Sequence, residues 1–118
     1  MKVFILGYSE EPTKYSNMAH ELLKEKGHEV IDINPTLSAP VFPSLIKAKE
    51  KHGKPHTLTM YVNPKISAKL KEDILSLNPQ RVIFNPGSEN FDLMQELEQK
   101  GVEVIQGCTL VMLRTNQF

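Results

Sequence analysis

The residues best suited by type and spacing to do chemistry lie in one short run, Gly7-Tyr8-Ser9-Glu10-Glu11-Pro12-Thr13-Lys14-Tyr15-Ser16, directly after the apolar stretch Val3-Phe4-Ile5-Leu6. Gly7 permits a tight turn and close backbone approach to a ligand, Ser9 and Ser16 offer hydroxyls, and Lys14 offers a point charge. A helix starting just after them adds unpaired N–H groups and the positive end of its dipole. Together these groups make a cradle for a diphosphate. Glu10 and Glu11 count against it unless they face solvent. The plainer alternative is a turn with Ser16 as helix N-cap and Lys14 solvated.

A second pattern recurs at the ends of three successive apolar runs: Asn34-Pro35, Asn63-Pro64 and Asn85-Pro86-Gly87. Proline has no N–H for a strand ladder and holds the preceding residue extended, so each pair stops a strand. The expected result is a rim of carbonyl groups and asparagine amides with little bulk, suited to a flat ligand laid across strand ends. Asn-Pro is also ordinary turn chemistry, which any one pair satisfies by itself.

Other candidates are weaker. The second and third glycines of a dinucleotide fingerprint are missing, and the second strand ends in Asn34-Pro35 instead of a ribose-binding acid, with Asp32 two residues earlier. His52 and His56 are separated by Gly53 and Pro55, so no helix face aligns them for a metal. Cys108 reads as a small buried hydrophobe before a reactive thiol. Lys47, Lys49, Lys51 and Lys54 read as a solvated face. No Ser/His/Asp constellation, carboxylate dyad or metal cluster emerges from spacing, so a non-catalytic protein is expected.

The elements that must position these groups alternate along the chain. Candidate strands are Val3–Gly7, Glu29–Ile33, Thr57–Val62, Arg81–Asn85 and Val102–Ile105, short and mostly apolar on both faces, as in a covered parallel sheet, with Asp32 inside the second strand as the exception. Between them a helix is expected from Tyr15 or Ser16 to Lys26, a lysine-rich one from Pro43 to His52, and one starting at Asn63-Pro64 with Ile66, Leu70, Ile74 and Leu77 as its stripe. A fourth spans Asn90 to Lys100, with Phe91, Met94 and Leu97 facing in. Strand–helix alternation implies right-handed crossovers and a three-layer α/β Rossmann-like fold, with five parallel strands in the preferred order 3-2-1-4-5.

At 118 residues the chain is one domain with one core. A formal net charge of zero argues against broad binding to nucleic acid or membranes, so any anion site must be local. One cysteine, and no run of signal or membrane-spanning length, lead to the expectation of a cytoplasmic protein. A homodimer is compatible with these features.

Taken together, the motifs resemble the small CoA-binding proteins related to the nucleotide-binding domain of succinyl-CoA synthetase. The likeness spans nearly the whole chain. It rests on Gly7-Tyr8-Ser9 with Pro12, Lys14, Tyr15 and Ser16, on Val30-Ile31-Asp32-Ile33-Asn34-Pro35, on Tyr61-Val62-Asn63-Pro64, and most specifically on Phe84 to Asn90 and Gly107 to Thr115. The resemblance implies coenzyme A or an acyl-CoA as ligand at the strand carboxyl ends. It places phosphates at Gly7, Ser9, Lys14 and Tyr15, the adenosine end beside Asn34, Pro35, Val62, Asn63 and Pro64, and pantetheine beside Pro86, Gly87 and Ser88. Relatives commonly carry arginine in the first loop; Lys14 keeps the charge without the bidentate geometry. The synthetase's phosphohistidine segments have no counterpart here. Cys108, if it lines the pantetheine end, is a candidate for disulfide exchange with the CoA thiol. Two other readings stand beside a CoA carrier, sensor or regulator: an NAD(P)-binding enzyme or enzyme subunit, and an interaction domain with a vestigial pocket.

Overall fold

The computed structural model describes residues 1–118. Its elements are β1 (Lys2–Leu6), α1 (Tyr15–Glu25), β2 (Glu29–Ile33), α2 (Leu45–His52), β3 (Thr57–Met60), α3 (Pro64–Lys69), α4 (Lys71–Leu77), β4 (Arg81–Phe84), α5 (Phe91–Gln99), β5 (Glu103–Gln106) and α6 (Thr109–Arg114). The five strands form one all-parallel sheet with helices on both faces. The α/β Rossmann-like class is therefore as expected from the sequence.

The strand order is not 3-2-1-4-5 but β2-β1-β3-β4-β5. Two features of the chain decide this. All four residues of β3 are buried, which suits an interior strand, whereas β2 carries an exposed Glu29 and a half-buried Asp32. The outer edge of β2 is also filled locally: Phe42 N donates to the Asp32 carbonyl and Asn34 N to the Phe42 carbonyl, so the loop after β2 folds back onto that edge. β3 then pairs with the other side of β1.

That reversal of winding distributes the helices. Right-handed crossovers put α1 on one face and α2, α4 and α5 on the other. Leu23 of α1 and Leu113 of α6 pack on Val3 and Ile5. The larger core lies on the opposite face, where Leu45, Ala48, Ile74, Leu77, Leu93 and Leu97 cover Phe4, Leu58, Met60 and Phe84. β1 and β3 flank the switch point, where ligands of such sheets bind.

Three local expectations are corrected. The helix after Asn63-Pro64 breaks at Leu70, and Ile66 turns outward instead of joining Ile74 and Leu77 in the core. Ser67 explains the offset of α3: its hydroxyl donates to the Pro64 carbonyl and accepts from Asn90 Nδ2, tying α3 to the start of α5. Phe91 is exposed, because Asn90 occupies the N-cap and sets Leu93, Met94 and Leu97 inward. Finally, α6 was not expected from the sequence at all.

Candidate functional site

β1 is followed by Gly7, whose φ of +91° is left-handed and whose added Cβ would lie 2.9 Å from Val62 Cγ1 and 3.0 Å from the Tyr61 carbonyl. Only glycine lets the turn pass this close to the end of β3. Gly7 N and Tyr8 N both donate to the Ile33 carbonyl, and Asn34 Nδ2 donates to the Tyr8 carbonyl at 2.7 Å. The ends of β1 and β2 are thereby fastened together, and Tyr61 N, donating to the Leu6 carbonyl, ties in the end of β3.

The loop that follows is stitched to α1. Ser9 N donates to Ser16 Oγ at 3.1 Å, Glu11 N to Ser9 Oγ at 3.1 Å, and Asn17 Nδ2 to the Ser9 carbonyl at 3.0 Å. Buried Ser16 thus braces the loop and does not cap the helix. The N-cap position belongs to Lys14, no side chain caps α1, and the Tyr15 and Ser16 amides meet no protein acceptor. Those free donors and the Ser9 hydroxyl proton suit an anion. Lys14 Nζ lies 4.0 Å from Glu11, with both side chains well exposed, a loose contact that leaves the lysine available.

The three Asn-Pro asparagines do not form the uniform rim that the sequence implies. Asn34 Oδ1 accepts from Thr36 N and Thr36 Oγ1, so its amide is spent inside the turn. Asn63 caps α3 through Oδ1, leaving its NH₂ group free. Asn85 is buried: Nδ2 donates to Thr59 Oγ1 and the Met60 carbonyl, and Oδ1 accepts from Thr109 N. Two of the three are locks that shape the rim, and the prolines and glycines beside them form its surface.

Three adjoining clefts run across the strand ends. The first, about 380 Å³, is lined by Gly7, Asn34, Pro35, Thr36, Val62, Ile66 and Lys69 among others. It shares Val62 and Ile66 with the second, about 350 Å³, which adds Tyr61, Asn63, Pro86, Gly87 and Ser88. Tyr61 and Pro86 continue into the third, about 360 Å³, lined also by Tyr15, Asn85, Cys108, Leu110, Val111 and Arg114. No Asp or Glu lines any of them. The structure thus gathers most of the sequence candidates into one groove, while Tyr8, Ser9, Lys14 and Ser16 form the loop beside it and Pro64 starts α3 outside it. A larger cavity, about 590 Å³, lies between the 37–43 loop and α2; of the sequence candidates only the weaker ones Lys47, Lys51 and His52 line it.

Sequence reasoning missed Ile66, Lys69, Tyr61 and Arg114 as groove residues. Ile66 and Lys69 are three apart just after a capping Asn-Pro, which marked them as one helix face pointing back at the strand ends. Arg114 depends on α6, whose six residues are too few for a periodic signal.

Two polar groups near the groove are fixed by the fold. Asp32 is held by His20 Nδ1 at 2.8 Å, and Tyr8 packs its ring 5.2 Å from that imidazole. Burial raises the Asp32 carboxyl above the ordinary carboxylate range, opposed by the hydrogen bond and charge of His20. Engaged inside the protein, this acid does not reach the place of a ribose-binding carboxylate. The Tyr61 hydroxyl is buried beside the Thr59 and Thr109 hydroxyls, which are bonded to each other at 2.8 Å, and makes no well-formed hydrogen bond itself. Burial pushes its phenol up to about 12, opposed by the two neighbouring threonine hydroxyls, so it stays neutral at physiological pH. Tyr61→Phe removes an unsatisfied buried group and should raise stability by about 1 kcal/mol. Chemical denaturation of both proteins checks this; a less stable variant would mean that the hydroxyl is satisfied in solution.

No group of three or more His, Cys, Asp or Glu side chains is placed to hold a metal ion, and no helix is long and apolar enough to cross a membrane. No curated protein matches the chain. Among solved structures, an uncharacterized protein is 36% identical over 99% of this chain and 97% of its own, with a TM-score of 0.85. A conserved hypothetical protein from Pyrococcus furiosus is 26% identical over 88% of this chain and 90% of its own, with a TM-score of 0.72. A Thermus thermophilus protein shares the fold at 21% identity and a TM-score of 0.85, covering 99% of this chain and 90% of its own. Residues 1–114 match the family described as the CoA binding domain, and with nearly the whole fold inside that match the chain belongs to this family.

Proposed function

We propose that this protein binds coenzyme A or an acyl-CoA along the strand-end groove, without catalysing a reaction, as a carrier, sensor or regulator. The observation that carries the reading is the family match over residues 1–114, on a chain whose strand-end clefts contain no carboxylate. A CoA molecule is polyanionic, and every Asp or Glu in its path would oppose it. In this reading the Tyr15 and Ser16 amides, the Ser9 hydroxyl and Lys14 meet the diphosphate. Pro35 and Val62 flank the adenosine, and Asn63, Pro86, Gly87 and Ser88 follow the pantetheine. The engaged Asp32 and the missing glycines weigh against an NAD-type site.

Thermal unfolding with CoA, dephospho-CoA, NAD⁺ and NADP⁺ tests this. Ligand at about 100 times its dissociation constant adds roughly 2.7 kcal/mol, which moves the midpoint of a domain this size by about 10 °C. A shift with CoA, smaller with dephospho-CoA and absent with NAD⁺, is expected; a shift with NAD⁺ alone overturns the reading. Lys14→Ala should weaken CoA binding about threefold to tenfold, as loss of one exposed phosphate contact, with the midpoint of the unliganded protein unchanged. An unchanged CoA affinity in titration calorimetry would remove Lys14 from the site.

A further inference from the structure

The groove is charged at both ends. Lys69 lines the cleft beside Asn34-Pro35, and Arg114 lines the cleft beside Cys108. The Lys and Arg ion pairs within the protein are Lys14–Glu11, Lys47–Glu50 and Lys71–Glu96, so neither Lys69 nor Arg114 is neutralised by a neighbour. Coenzyme A does not match this arrangement by itself. Its phosphates cluster at the adenosine end, while the pantetheine and its sulfur are uncharged. A molecule lying from the first cleft through the second brings its sulfur to the third, since Tyr61 and Pro86 wall both of the last two. There the walls are Tyr15, Tyr61, Pro86, Leu110 and Val111, and the one charged side chain is Arg114. Tyr15 and Val111 are among the few large apolar side chains that the protein leaves exposed.

We infer that the third cleft holds the acyl group of an acyl-CoA thioester, and that Arg114 selects acyl groups ending in a carboxylate. This rests on the CoA-binding reading and adds the ligand's class to it. Methylenes of a short acyl chain bury against Leu110, Val111 and the aromatic walls. A terminal carboxylate then meets a planar guanidinium that can engage both of its oxygens, a match an ammonium group reproduces less well. No carboxylate in the cleft wall competes for the cation or repels the incoming charge.

Titration calorimetry of the full chain with CoA, pentanoyl-CoA and glutaryl-CoA tests it, because the two acyl groups have the same chain length and differ in the terminal charge. Glutaryl-CoA should bind about tenfold tighter than pentanoyl-CoA to the wild-type protein, the size expected of one charge-assisted contact. Arg114→Gln should erase that difference, and Arg114→Lys should retain part of it. Arg114 is exposed, so folding of these variants is not at risk. Equal affinities of the wild type for the two acyl-CoAs overturn the inference. Arg114→Gln weakening CoA as much as glutaryl-CoA also overturns it, since the guanidinium would then sit on a phosphate. Absence of any CoA binding by the wild type would instead bring down the underlying reading.

Discussion

Asn85→Ala is expected to destabilise the protein by about 3 kcal/mol, lowering the unfolding midpoint by about 12 °C. The asparagine is 3% exposed and closes the joint of three elements. Its amide donates to Thr59 Oγ1 and the Met60 carbonyl on β3, and its carbonyl receives the Thr109 amide at the start of α6. Alanine leaves a cavity and strips partners from two buried groups, the Met60 carbonyl and the Thr109 N–H. Thr59 keeps only its bond to Thr109. Unmet buried donors and acceptors each carry a desolvation penalty, and a network loses more than its separate bonds suggest. Asn85→Asp retains acceptance from Thr109 but turns a donor into a carboxylate facing the Met60 carbonyl, so it should be no better tolerated. Urea denaturation gives both values. A loss below about 1 kcal/mol for either would show that the joint relaxes or hydrates.

Gly7→Ala is the second large effect, again about 3 kcal/mol, from two separable causes. A left-handed φ costs an L-residue roughly 1–2 kcal/mol. The rest comes from contact, because the new Cβ would fall 2.9 Å from Val62 and 3.0 Å from the Tyr61 backbone. The side chain can shift, but the backbone belongs to the end of a buried strand. Gly87 supplies the control: its φ is +92°, yet nothing lies within 4 Å of its Cβ position. Gly87→Ala should therefore cost only the conformational part, about 1 kcal/mol. Equal losses at the two glycines would mean that the close approach at Gly7 carries no energy. Gly7→Ala should also weaken CoA, since Gly7 and Val62 wall the same cleft.

The fold class was legible because period and punctuation agree along the chain. Apolar runs of strand length alternate with amphipathic segments, and glycine or Asn-Pro marks their ends. Local signals also located the groove, since a strand's carboxyl end is where its side-chain pattern stops. The Asn63-Pro64 start of α3 and the end of β1 at Gly7 are examples, with the cap and the turn formed by the residues themselves.

Strand order was less accessible, since a crossover to either side of β1 reads alike in periodicity. The two acids of β2 were present in the sequence, but the complete burial of β3, two of whose four residues are threonines, and the return of Phe42 onto the edge of β2 are tertiary events. The asparagines illustrate the same limit. Asn34, Asn63 and Asn85 occupy equivalent places in the chain, yet one fastens a loop, one caps a helix and one is sealed in a joint.

The sequence by itself determined the parallel α/β class, the turn at Gly7 and the positions of the strand ends, because backbone conformation and hydrophobic period are local properties. Only the tertiary structure decided which amides are spent, that Asp32 is held by His20, and that Arg114 joins Tyr15 and Cys108 in one cleft. Those outcomes depend on contacts between residues far apart in the chain, and spacing alone carries no record of which distant partner a polar group meets.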